Sequence, residues 1–269
     1  MVELDRLDRE YGVGAMPGTS TPAPRKPRRQ TGAALPGLLV TAVILTAVVA
    51  LSPTENFRTI RQLAGFGNAR LGDVPSVAEG EGSYAFTATQ RGSKQPVAYD
   101  PCRIIEVAVN PEGAPENYDE LVDTAIDRTG DATGLAFRRI GTTDDRDFTR
   151  RTSAIASRPP VLVAWATPEE VPDLEGDIAG IGGSAAVDMG TGRMRYVTGI
   201  VVLDAGTFGD FEDDEQPFAQ AIVDHEFGHL VGLDHVDDPH ELMNGANVGV
   251  TTYGPGDREG LARLGGVDC

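Results

Sequence analysis

The sequence predicts an α+β domain: a twisted mixed sheet, one helix that carries the candidate site, and a closing C-terminal helix. Apolar residues make up 40% of the 269 positions, enough for one core. β-branched runs and helical patterns follow one another as strand, helix, strands, helix, an order that fits a mixed sheet. Three of the four histidines fall within eleven residues, at the end of one helical pattern and just beyond it.

In chain order, Arg103–Asn110 alternates and is β-branched, which predicts a strand. From Pro115 to Thr129, the residues Tyr118, Leu121, Val122, Ala125 and Ile126 share one helical face. Leu135–Ile140 and Pro160–Ala166 read as further strands. Gly183–Val187 and Arg195–Asp204 read as two strands joined by a glycine-rich turn. Gln216–Val231 reads as a helix with Phe218, Ile222 and Leu230 as its apolar points, and a last helix spans about Gly256–Leu264.

Upstream of this domain (97–269) the character changes. Residues 1–31 are rich in proline, small residues and the basic cluster Arg25, Lys26, Arg28, Arg29, which predicts a disordered cytoplasmic tail. Residues 32–51 are apolar and uncharged, and as a helix would span roughly 30 Å. With the basic cluster before it, this segment reads as a transmembrane signal-anchor, placing the domain outside a cell membrane in a single-pass arrangement. A cleaved signal peptide and a secreted domain is the alternative. Residues 52–96 read as a juxtamembrane linker.

The formal charge is −18. An acidic surface repels phosphate backbones, which argues against a nucleic-acid partner.

The segment with the most chemistry is His225-Glu-Phe-Gly-His229-Leu-Val-Gly232-Leu-Asp-His235. Residues four apart share a helix face, so His225 and His229 can grip one ion. Gly232 permits the turn that ends the helix and returns His235 as a third nitrogen ligand. Three imidazoles leave one position of a tetrahedral zinc ion open for water, and Glu226 can act as general base there. A bare HExxH on a solvated helix face is a common chance match; the added glycine and third histidine remove most such matches.

HEFGHLVGLDH is similar to the HExxHxxGxxH zinc signature of the metzincins, and the following Glu241-Leu242-Met243-Asn244 resembles their Met-turn. The interval from His235 to Met243 and the tail YGPGDREGLARLGG resemble matrixins. Val236 stands where matrixins usually have serine, and Gly245 stands where a tyrosine two residues past the methionine could serve as the extra zinc ligand of the astacin or serralysin kind, which is therefore not implied. The resemblance implies a metzincin-like zinc protease domain, one catalytic Zn2+ on His225, His229 and His235, Glu226 as catalytic base, and Met243 as an apolar floor. It also implies a protein or peptide substrate lying along an edge strand, for which Ile181–Val187 with Gly183, Ser184 and Ala185 is the candidate. Gly245–Gly254 would then wall the adjoining pocket.

Cys102 and Cys269 form an even pair, which in an exported chain suggests a disulfide. A Cys102 thiolate plugging the zinc, as in matrixin propeptides, is the rival reading. The acidic run Asp210–Glu215 reads as a solvated turn ahead of a helix or, with less support, as a Ca2+ site. Three functions remain open: a zinc endopeptidase, a cell-surface binding module with structural zinc, and a zinc hydrolase of non-peptide substrates.

Overall fold

The computed structural model describes residues 70–148, 158–190, 192–246 and 249–269. In chain order its elements are β1 (Ala85–Phe86), β2 (Ile105–Asn110), α1 (Tyr118–Thr133), β3 (Phe137–Thr142), β4 (Val161–Ala166), β5 (Gly180–Asp188), β6 (Met194–Asp204), α2 (Ala205–Asp210), α3 (Gln216–Val231), β7 (Leu233–Asp234) and α4 (Pro255–Gly265). The class is α+β with a mixed sheet, as the sequence predicts.

The sheet runs β3-β2-β4-β6-β5. The first four strands are parallel, and β5 joins β6 antiparallel at the edge. The composition explains the order. IEVAVN and VLVAWA are almost wholly buried, as strands covered on both faces must be. β3 (FRRIGT) is mostly exposed and takes the other edge.

Alternate residues divide between two apolar clusters. Val161, Val163 and Trp165 of β4, with Val201 and Leu203 of β6, meet Leu121, Val122 and Ala125 of α1 and Ala219, Val223, Phe227 and Leu230 of α3 in the main core. Val202 faces the opposite side and packs with Ala166, Val171 and Leu174. The helices therefore cover one face, and a loop with a single 3-10 turn at Pro172–Leu174 covers the other. The buried stripe of α3 differs from the expected one. Leu230 is buried as expected, but Phe218 is 44% exposed, and Ala219, Ala221, Val223 and Phe227 pack in its place. α3 is crowded between β5, α1 and α4, so short side chains let it sit close.

Residues 70–96, expected as linker, run along this domain. Arg70 donates to the carbonyls of Val267 (3.0 Å) and Gly265, Gly80 N donates to Glu259 (2.6 Å), and β1 pairs antiparallel with β7. Isolated strand pairs of two residues carry no periodic signal, so they left no trace in the sequence.

The single-pass membrane placement needs correction. Among the described residues no helix is long and apolar enough to cross a membrane. The segment that suggested a span, 32–51, lies outside the described residues, as do the tail 1–31 and the first part of the expected linker.

Candidate metal centre

α3 ends at Gly232, whose φ of 121° lies where side chains other than glycine are strained. A Cβ there would also come within 3.0 Å of Leu264 and Tyr196. The turn it permits delivers β7 and then His235, as the spacing predicts.

The structure brings the three predicted histidines together. The Nε2 atoms of His225, His229 and His235 form a triangle with sides of 3.0, 3.0 and 3.1 Å. Two of the rings are oriented through their other nitrogen. His225 Nδ1 donates to Leu242 O at 2.7 Å, and His229 Nδ1 donates to Leu233 O at 2.9 Å. A carbonyl only accepts, so in the neutral rings both Nδ1 atoms carry the proton and both Nε2 atoms present lone pairs. Two lone pairs facing each other at 3.1 Å repel unless a cation lies between them.

Both rings stay neutral. Burial first, then the neighbouring His229, pushes His225 down to about 4, and burial also lowers His229. Three imidazole nitrogens converging on one point suit zinc. An ion holding them at about 2.0–2.1 Å in a tetrahedron would spread them to roughly 3.3–3.4 Å, a few tenths of an ångström beyond the observed triangle.

Glu226 directly follows His225 on the same helix. It is 6% exposed, and its Oε2 has no hydrogen-bond partner. Burial alone pushes its carboxyl up to about 8. β5 crosses directly over this residue. A Cβ on Gly182 would come within 2.2 Å of the Glu226 carbonyl, and one on Gly180 within 2.9 Å of the Glu226 side chain. Small residues in β5 thus set how closely the sheet edge approaches the site.

Within β5, Ser184 donates to Leu230 O at 2.6 Å and meets Tyr99 Oη at 2.6 Å, so its side chain faces α3. Gly183 faces open space, and Ala185 is buried. Gly183, Ser184 and Ala185 therefore belong to the edge strand next to Glu226, with alternate faces in different roles.

After His235 the chain loops out and returns. Val236 N donates to Met243 O at 3.0 Å, closing the loop, and Met243 is buried against α3, where a Cβ on Gly228 would meet its sulfur at 2.5 Å. A cavity of about 560 Å³ opens beside His235, lined by Val236, Asp237, Asn244, Gly245 and Ala246.

Cys102 and Cys269 form a disulfide, with Cα atoms 5.5 Å apart. Cys102 is thereby committed away from the histidines, which leaves the thiolate-plug reading without a free thiol. Among the described residues the groups able to converge three ligand atoms are the histidine triad and the surroundings of this disulfide.

Several residues that steady the site escaped sequence reasoning. Asp224, buried on α3, accepts from Arg128 at 2.6 Å and Gln220 at 2.8 Å, while its carbonyl accepts from Tyr253 at 2.6 Å. Its place just before His225, after the apolar Ala219, Ala221 and Val223, was the available signal. Thr87 had none.

No family model and no curated protein matches the chain. Among solved structures it is similar to a chain of "GM1 bound form of the ECX AB5 holotoxin", at 14% sequence identity and a TM-score of 0.35, over 61% of this chain and 82% of that one. A likeness at that score says nothing about what this chain does.

Proposed function

We propose that the chain is a zinc-dependent endopeptidase of the metzincin type, matrixin-like in its Met-turn and closing helix. One observation carries the reading: Glu226, whose buried carboxyl oxygen has no partner, directly follows His225 in a triad of imidazoles converging on one point.

His225, His229 and His235 would hold the zinc. When bound, the ion supplies Lewis acidity, polarising the scissile carbonyl and making a water molecule acidic near neutral pH. The positive charge of the ion would favour the ionised form of Glu226, which would take the proton from the attacking water and pass it to the nitrogen of the leaving amine. Its burial keeps competing water away, and its free Oε2 has no other bond to break before it accepts. The outer edge of β5 offers main-chain groups to an extended peptide, which aligns a substrate without reading its side chains. The cavity beside His235 receives a neighbouring side chain.

A binding module with structural zinc has no use for Glu226. Burying an unpaired carboxyl group costs folding free energy, and a purely structural centre would offset that cost with nothing. A hydrolase of non-peptide substrates could use the same residues, but the strand edge over Glu226 suits a polypeptide backbone.

The test is hydrolysis of casein and of a fluorogenic peptide library by the zinc-loaded protein, with and without a chelator. Cleavage that the chelator abolishes and zinc restores is the expected result. A zinc-loaded protein that cleaves neither substrate sinks the proposal.

A further inference from the structure

A short piece of chain far upstream of the histidine motif reaches the metal centre. In β1, Ala85 lies opposite Asp234 and Phe86 opposite Leu233. Thr87 follows immediately. Its N–H donates to Gly232 O at 3.0 Å, and its hydroxyl donates to Leu233 O at 2.9 Å. That carbonyl is the one that accepts His229 Nδ1–H at 2.9 Å. A carbonyl oxygen has two lone pairs, and here one receives a ring N–H and the other the Thr87 hydroxyl.

The segment Tyr84–Thr87 therefore acts as a strap over the turn Gly232–Asp234, which links the second histidine to the third. The strap is held at both ends. Upstream, Gly80 N donates to Glu259 of α4, and the Tyr84 ring lies 5.6 Å from the Arg263 guanidinium. Downstream, Val97 N donates to Ala88 O at 2.9 Å. A carbonyl fixed from both sides holds the His229 ring in one orientation and one tautomer. The Nε2 lone pair then points where its two partners point.

We infer that Thr87 is a positioning residue of the metal centre, holding His229 through the Leu233 carbonyl so that zinc binding depends on the strap. This rests on the zinc reading above. Hydrogen bonds that orient a ligating histidine typically change metal affinity ~10- to 100-fold when lost. The dependence also places the start of the functional unit upstream of residue 97.

The test uses the full chain with Thr87→Val, which keeps the shape but lacks the donor, and Thr87→Ser, which keeps the donor. Thr87 is exposed, so neither change disturbs the core, and Thr87→Ala serves as a second donor-free variant. Zinc affinity is read by competition with a chromophoric chelator. The His229 tautomer is read by nitrogen NMR of the metal-free protein. Thr87→Val and Thr87→Ala should bind zinc about 10- to 100-fold more weakly and lose the single Nδ1–H tautomer, while Thr87→Ser keeps both.

Wild-type zinc affinity in the valine and alanine variants overturns the inference, as does an equal loss in Thr87→Ser. A wild-type chain that binds no zinc overturns the protease proposal instead. In that event the metal-free spectra still decide the role of Thr87: an unchanged His229 tautomer in Thr87→Val refutes it.

Discussion

Glu241 and Asp257 brace each other across the loop that follows the third histidine. Glu241 accepts the backbone N–H groups of Asp257 and Gly256, both at 2.8 Å, and so caps the start of α4. Asp257 accepts Leu242 N at 2.6 Å and Gly254 N at 2.9 Å. Both side chains are buried. Leu242 is also the residue whose carbonyl orients His225, so the pair fixes one wall of the metal centre from below.

That arrangement makes stability depend on pH. Burial pushes the Asp257 carboxyl up to about 6, with the Glu241 charge adding to the rise and backbone donors from Gly254, Leu242 and Met243 opposing it. The folded protein then holds a proton that the unfolded chain, with its ordinary value of 3.8, has already released. The contribution of this group is therefore largest below the unfolded value. It declines as pH rises to about 6 and is level above that. The change is of order 1–3 kcal/mol. Urea midpoints measured in steps between about pH 4 and 7 should fall with rising pH relative to those of Asp257→Asn, which lacks this contribution. Equal slopes in the two proteins would remove Asp257 as the cause.

Glu226→Gln should retain zinc and lose turnover by about 100- to 10,000-fold, the usual worth of a general base. The amide nearly matches the carboxyl in shape, so the histidine triangle stays in place. Metal analysis and peptide hydrolysis on the same preparation separate the two effects. Proteolysis at the wild-type rate would exclude Glu226 as the base.

Substrate pairing along β5 is tested by removing one backbone donor. The register shifts between Ala185 and Ala186, so Ala185→Pro and Ala186→Pro are made in parallel. The variant that loses an outward N–H should keep its zinc and cleave peptides more slowly, chiefly through weaker binding. If both variants fold, bind zinc and cleave with unchanged affinity and rate, the substrate does not pair there.

The Cys102–Cys269 bond spans 167 residues and ties the chain just ahead of β2 to the tail beyond α4. Reducing it should cost about 2–5 kcal/mol of stability. Denaturant unfolding with and without a reductant, alongside the double variant Cys102→Ser/Cys269→Ser, provides the measurement. Identical midpoints would show that the bond contributes nothing.

The sequence by itself determined what is local. The spacing of His225, His229 and Gly232 encodes a shared helix face and a turn, because helical periodicity and glycine's backbone freedom act within a few residues. The runs of β2 and β4 announced strands for the same reason, and α3 runs from Gln216 to Val231 as its pattern predicts. Only the tertiary structure decided what joins distant positions. It seated β5 over Glu226, paired Glu241 with Asp257, closed Cys102 onto Cys269, and laid the strap with Thr87 against Leu233. It also replaced Phe218 by Ala219 and Val223 on the buried face of α3, since the depth of a neighbour's approach is not written in one helix. Each of these depends on two segments meeting, and a pairing of two residues with two others leaves no period in either segment. A motif can thus specify which atoms meet the ion, while the carbonyls that aim those atoms come from chain that only folding brings near.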